Sequence, residues 1–203
     1  MSEQTIDLAA VKRGFGNPSL ESQILFRTIM NAMSQPGTRH DVSTAPEPPQ
    51  GINQATCGVA LTLFDFETTV WIDPVLRSGE MDAWLRFHCN CPTTTETKAA
   101  EFAVVTDTAN APSLLSFNRG DPKYPESSTT IVLEVSSFDG GETKTISGPG
   151  IPGTRTVQPD GLPANFWQEQ HENTLDFQLG VDLILTCGAE MIALPRTTRT
   201  GEA

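Results

Sequence analysis

The chain has 203 residues, of which 37% are hydrophobic, and its formal net charge at pH 7 is −12. This length suffices for one domain that buries a sizeable core without disulfides. The acidic balance argues against a protein that tracks nucleic-acid phosphates or binds anionic membranes, because both functions need basic patches.

Two general features indicate the compartment. Residues 1–13 are polar and lack the apolar segment of an export signal, so we expect an arm lying on the surface or on a partner. The four cysteines form no CxxC pair, and no apolar run approaches the roughly 18 residues that a membrane-spanning helix needs. We therefore expect a cytoplasmic protein with reduced thiols.

The clearest local signal predicts a helix that starts after Asn17 and ends near Gly37. Asn17 can cap the first free backbone N–H groups, and Pro18 lacks the amide that would be unpaired at the first helical position. Pro36 and Gly37 end the pattern, and Arg27 points away from the core. Apolar residues recur every three or four positions and predict a stripe that packs on the core. This stripe consists of Leu25, Phe26, Ile29, Met30 and Met33.

The middle of the chain alternates helical and strand patterns. A proline-rich connector over residues 40–51 precedes a predicted helix at 53–64 and a strand at 69–72. A helix at 78–88, a short buried strand at 102–105 and a helical turn at 112–117 follow.

The last third predicts mainly strands. Residues 129–135 carry the strongest strand pattern, and we expect 143–147 to pair with them as a hairpin across 139–141. A helix at 163–170 and two strands at 181–185 and 191–194 complete the chain. The alternation indicates a single α/β domain over residues 1–203, with a mixed β-sheet flanked by helices.

The segment with His88, Cys89 and Cys91 contains the ligand types of a soft metal site. A structural zinc site needs four ligands, usually in two separated pairs, and the other cysteines and histidines stand in unrelated contexts. We favour packed thiols over a metal or a nucleophilic cysteine.

Two other groups carry alternatives. Asp65 and Glu67 are a carboxylate pair that either divides acid and base roles or caps a turn. The segment Gly148-Pro149-Gly150, with Gly153 after it, either surrounds an anion with backbone N–H groups or forms a tight structural turn, and no phosphate-loop lysine follows it.

Asp182 lies within an apolar strand, where a carboxylate needs a partner to offset its loss of hydration. We expect it to be buried and paired with Arg27 or Arg196. The residues alone supply no nucleophile and base constellation, no metal set and no cofactor fingerprint.

Short motifs along the chain nevertheless share one pattern. They are Gly14-Phe15, Pro18, Ser22-Gln23, Phe26-Arg27, Met30, Ala32-Met33-Ser34, Pro36-Gly37, Leu63-Phe64-Asp65, Glu67-Thr68, Val70-Trp71, Phe87-His88, Gly120, Pro125-Glu126, Thr129, Gly148-Pro149-Gly150-Ile151, Phe177, Gly180-Val181-Asp182 and Leu185. Together they resemble the H subunit of the bacterial carbon–phosphorus lyase system, the PhnH family, over residues 14–198.

The resemblance implies a non-catalytic, essential subunit in organic phosphonate catabolism, which acts by assembling with the G, I and J subunits and forms a homodimer when isolated. It implies a fold similar to the large domain of pyridoxal-phosphate (PLP) transferases, without the cofactor. Interface anchors would be arginines such as Arg27 and aromatic residues such as Trp71, although core packing also suits the tryptophans. The alternative is a stand-alone transferase-like enzyme or small-anion-binding protein that uses the loop from Gly148 to Gly153.

Overall fold

The computed structural model describes residues 11–77 and 79–201. Most of the predicted N-terminal arm therefore lies outside the described residues. The described helices are α1 (Pro18–Ser34), α2 (Gln54–Leu63), α3 (Glu80–His88) and α4 (Phe166–Leu175). The strands are β1 (His40–Asp41), β2 (Val70–Ile72), β3 (Thr93–Thr94), β4 (Phe102–Val105), β5 (Thr130–Glu134), β6 (Lys144–Ser147), β7 (Arg155–Val157), β8 (Asp182–Cys187), β9 (Glu190–Leu194) and β10 (Arg199–Gly201).

The predicted cap of α1 is present, and α2 has an equivalent one. The Asn17 side chain accepts a hydrogen bond from the Leu20 amide at 3.3 Å, and Pro18 occupies the first turn of α1. Asn53 does the same at α2, where its Oδ1 accepts from the Thr56 amide at 2.9 Å. Each cap satisfies a backbone N–H that the helix itself leaves unpaired. None of the described helices is long and apolar enough to cross a membrane.

A mixed seven-stranded sheet forms the centre, in the order β1-β9-β8-β5-β4-β2-β3. Strands β8, β5, β4, β2 and β3 run parallel to their neighbours within this group, whereas β9 runs antiparallel to both β8 and β1. The predicted mixed α/β sheet is confirmed, and the two strands predicted at 181–185 and 191–194 pair as the β8–β9 hairpin.

The predicted hairpin between residues 129–135 and 143–147 is wrong. Strand β5 lies between β4 and β8, so both of its edges are already paired. Its residues Ile131, Val132 and Leu133 are all buried, as expected for a central parallel strand covered on both faces. Strand β6 instead lies between β7 and β10 in a separate antiparallel sheet.

The main sheet separates the core into layers. Helices α1 and α2 pack on the face that carries Val132 and Ile184, and α3 packs beside them against Ile72 and Val104. The opposite face is covered by α4 and the three-stranded sheet. Alternate residues of each strand therefore enter different clusters.

The predicted core stripe of α1 is only partly correct. Leu25 and Ile29 are buried, but Phe26 is 48% exposed and Met30 is 53% exposed. Successive helical residues are separated by roughly 100°, so a stripe centred on Leu25, Ile29 and Ala32 leaves the neighbouring side chains outside the contact.

Candidate functional site

The outward side of α1 exposes four large apolar side chains. Two pairs of side chains at i,i+4 spacing form its ridges, and these are Leu20 with Ile24 and Phe26 with Met30. Each of the four is 42–53% exposed. Arg27 lies between the ridges on the helical wheel. We call these five residues the α1 outer face.

The glycine-rich loop that follows β6 packs against the carboxyl end of α1. A Cβ atom on Gly150, where φ is +80°, would lie 2.0 Å from the Ser34 carbonyl oxygen. A Cβ atom on Gly148 would lie 2.7 Å from the Thr197 carbonyl oxygen. The loop thus approaches carbonyl groups and the negative end of a helix dipole, which is a poor environment for an anion. The geometry favours a tight structural turn over an anion cradle.

Asp182, at the start of β8, is paired with Arg196, which is one of its two predicted partners. Asp182 Oδ1 accepts from the Arg196 amide at 2.8 Å, and Oδ2 accepts from Nη2 at 2.5 Å. The Asp182 side chain is 16% exposed and that of Arg196 is 13% exposed, so the pair is largely but not completely buried. Arg27, the other predicted partner, is exposed on α1.

Arg196 also connects the loop region to the pair. Its guanidinium donates to the Pro125 carbonyl at 2.7 Å and to Ser128 Oγ. Arg196 and Pro149 line a cavity of about 130 Å³, together with the exposed Phe177. The structure therefore brings Gly148-Pro149-Gly150 and Asp182 to one region.

The other predicted site residues lie elsewhere. Asp65 Oδ1 accepts from the Glu67 amide at 2.9 Å and from Thr68 Oγ1 at 2.8 Å, so this carboxylate caps a turn. These two bonds hold the pKa of Asp65 below its usual value. Trp71 is 3% exposed and meets the Phe117 ring edge-to-face at 5.7 Å. Trp71 is therefore a core residue and not an interface anchor.

Three of the four thiols are packed in the interior. Burial raises the pKa of Cys57 and of Cys89 to about 12 and that of Cys91 to about 11. His88 lies against the Trp84 ring and its Nε2 is 2.9 Å from the Lys12 carbonyl oxygen. Thiols with such pKa values are protonated at neutral pH, so they are weak nucleophiles and weak ligands. Across residues 11–77 and 79–201, no three His, Cys, Asp or Glu side chains are grouped to hold a metal ion.

The sequence reasoning missed two acidic residues at the carboxyl ends of the parallel strands. Asp73, after β2, is buried and accepts from the backbone amides of Thr106 at 3.1 Å and Asp107 at 2.9 Å, which ties β2 to the end of β4. Glu134, at the end of β5, accepts from the Asn53 amide at 2.7 Å, and burial raises its pKa. An acidic residue directly after a buried apolar strand was the available signal.

The family model described as "Bacterial phosphonate metabolism protein (PhnH)" matches residues 13–201. Alpha-D-ribose 1-methylphosphonate 5-triphosphate synthase subunit PhnH of Rhizobium meliloti (strain 1021) is 36% identical over 185 residues, which cover 91% of this chain and 92% of that protein. HtxG of Stutzerimonas stutzeri, named as a candidate C-P lyase subunit, is 33% identical over 178 residues, which cover 87% of this chain and 84% of HtxG. The chain belongs to the PhnH family of bacterial phosphonate metabolism proteins, as its sequence motifs predicted.

Proposed function

We propose that this chain is a non-catalytic subunit of the carbon–phosphorus lyase machinery that acts by assembling with the G, I and J subunits. The machinery would convert phosphonates to ribose 1-phosphonate triphosphates and then cleave the C–P bond. The R. meliloti relative is itself named as a subunit of a synthase, which supports a role within an assembly.

The observation that carries this proposal is the α1 outer face. Four large apolar side chains are 42–53% exposed on one 17-residue helix, within a chain whose net charge is −12. Interface centres are depleted of charge and enriched in Phe, Met and Arg, which is the composition of the Phe26, Arg27 and Met30 segment. Large apolar side chains exposed together on one helix favour a contact site.

Several finer expectations belong to the same proposal. The isolated chain would form a homodimer, and residues 1–203 would form a single domain with a fold similar to the large domain of PLP-dependent transferases.

We propose no PLP site, because Schiff-base formation requires a lysine in a sheltered place. Lys12 pairs with Glu47, Lys144 pairs with Glu142, and Lys98 donates to backbone carbonyls. Lys123 lies over the Tyr124 ring.

The geometry gives less support to the alternative, in which the Gly148–Gly153 loop serves a stand-alone enzyme or an anion-binding protein. The loop packs against the end of α1, and the nearby Arg196 is already engaged by Asp182.

Co-expression with the G, I and J subunits of the same bacterium, followed by size-exclusion chromatography, tests the proposal. We expect this chain to elute with the assembly and to be inert alone toward phosphonates and nucleotides. Assembly and activity of the other three subunits without this chain would refute the proposal.

Introducing negative charge on the α1 outer face locates the contact. Phe26→Glu and Met30→Glu change exposed side chains, so the melting temperature should hold while co-elution is lost. Phe87→Glu is the matched control, because Phe87 is 52% exposed on α3. Loss of co-elution with Phe87→Glu alone would move the contact to α3.

A further inference from the structure

A second region of the molecule has the features of a ligand site and lies away from the α1 outer face. It is a cavity of about 370 Å³ between α3 and the edge strand β3. Its polar lining comes from two arginines, one aspartate and three consecutive threonines. These residues are Arg77, Arg86, Asp82, Thr93, Thr94 and Thr95. We call this region the β3 cleft.

The cleft lies at the carboxyl edge of the parallel strands. Strand β2 pairs with β3 on one side and with β4 on the other, and all three run in the same direction. The segment that leaves β2 carries Arg77, and Thr95 directly follows β3, so the cleft lies beside the carboxyl ends of these two strands.

Arg77 lies at one wall of the cleft and is positioned by two contacts. Its Nε donates to the Ile72 carbonyl oxygen at 3.0 Å, and its guanidinium lies 5.6 Å from the centre of the Trp71 ring. The two Nη groups of Arg77 make no hydrogen bond to any residue in the described part of the chain. A guanidinium fixed through Nε and a ring face presents its remaining N–H groups without a further loss of side-chain entropy.

Arg86 supplies the second cation from α3. Its Nε lies 3.1 Å from Asp82 Oδ2, and its side chain is 57% exposed. Two guanidinium groups and one carboxylate give the cleft a local charge of about +1, in contrast to the −12 of the whole chain. The threonine hydroxyls of the facing strand add neutral donors.

We propose that the β3 cleft binds the phosphate or phosphonate group of a small molecule. The Nη edge of Arg77 matches two oxygens of a tetrahedral oxyanion, because a guanidinium donates two parallel hydrogen bonds to such a group. Arg86 and the threonine hydroxyls of the facing strand supply donors on the other side. The cavity falls within the range of roughly 300–1,000 Å³ that is typical of small-molecule pockets, which leaves room for an organic group attached to the anion.

This inference does not depend on the proposed assembly, because it concerns the isolated chain. The test is calorimetric titration of the purified protein with inorganic phosphate, methylphosphonate and ribose 5-phosphate, each against sodium chloride at matched ionic strength. We expect saturable binding of at least one anion, with a Kd of about 1 mM or lower. Tighter binding of the ester than of inorganic phosphate or methylphosphonate indicates a phosphate ester as the ligand, and the reverse order indicates the free anion.

Two variants distinguish the cleft from general charge effects. Arg86→Gln removes one charge-assisted hydrogen bond, and Arg77→Lys keeps the charge but loses the planar fork, so each should weaken the affinity by about tenfold. Arg39→Gln is the matched control, because Arg39 is another half-exposed arginine paired with an aspartate, and it lies outside the cleft. The affinity of this control should be unchanged.

Amide resonances provide an independent readout that does not rely on the variants. The backbone amides of residues 93–95 should shift on titration with the bound anion, while those of residues 148–153 should not. No binding beyond the chloride reference would overturn the proposal, as would equal affinity in wild type, Arg86→Gln and Arg77→Lys.

Discussion

Replacement of Asp182 by alanine is the most direct test of how this fold is held together. The Asp182 carboxylate accepts hydrogen bonds from the backbone amide, Nε and Nη2 of Arg196, at 2.5–3.2 Å. Both side chains are less than a fifth exposed. The substitution therefore leaves a nearly buried guanidinium without its counter-charge.

The expected cost follows from this burial. Removing one partner of a buried ion pair typically destabilises a protein by about 3–5 kcal/mol. Arg196 keeps the Pro125 carbonyl and Ser128 Oγ as acceptors, so we expect a loss near the lower end, about 3 kcal/mol. For a domain of this size, each kcal/mol lowers the melting temperature by roughly 2–4 °C, so Asp182→Ala should melt about 6–12 °C lower.

Thermal and urea unfolding of wild type and variants measure this difference. Asp139→Ala is the control, because the Arg39–Asp139 pair also lies at 2.5 Å but its side chains are 42% and 73% exposed. An exposed pair contributes much less than a buried one, because solvent screens the attraction between its charges. A melting temperature of Asp182→Ala within about 2 °C of wild type, or equal costs for both variants, would refute the argument from burial.

Three further outcomes are expected. Gly150→Ala should cost more than about 2 kcal/mol in thermal unfolding, whereas Gly153→Ala, with a similar positive φ but open space around it, should cost only about 1 kcal/mol; equal costs would exclude the contact with α1. Because burial raises the folded pKa of Glu134 above its ordinary 4.5, the folded state holds this proton more tightly, and stability should fall as pH rises from 4.5 through the folded pKa. Glu134→Gln should remove this decline in urea unfolding series, and an unchanged pH profile would contradict it. A thiol reagent at neutral pH should label the partly exposed Cys187 well before the buried Cys57, Cys89 and Cys91. Rapid labelling of these three buried thiols would contradict their packing.

Local rules predicted much of the secondary structure. The Asn17 cap and the strands from residues 102 and 181 depend on neighbouring residues and on short apolar runs. Such features are stabilised within a few residues of the chain, so the sequence reports them directly. The family motifs are also local, and the family model and both relatives confirmed them.

Contacts between distant segments could not be predicted from local patterns. The partner of β5 could not be read from its sequence, because an apolar run suits a hairpin and a central parallel strand equally well. The exposure of Phe26 and Met30 depends on how α1 docks, since an apolar residue at the edge of a stripe is buried only if a neighbouring element reaches it.

The β3 cleft illustrates the same division most clearly. The sequence gives no sign that Arg77 and Arg86 belong to a binding site, because an isolated arginine is typical of any solvated surface. They line one cavity with the threonines of β3 only because β2, β3 and α3 meet at a sheet edge. Chain segments carry their own propensities for helix and strand, but the distances between charged groups on different segments exist only after those segments have packed.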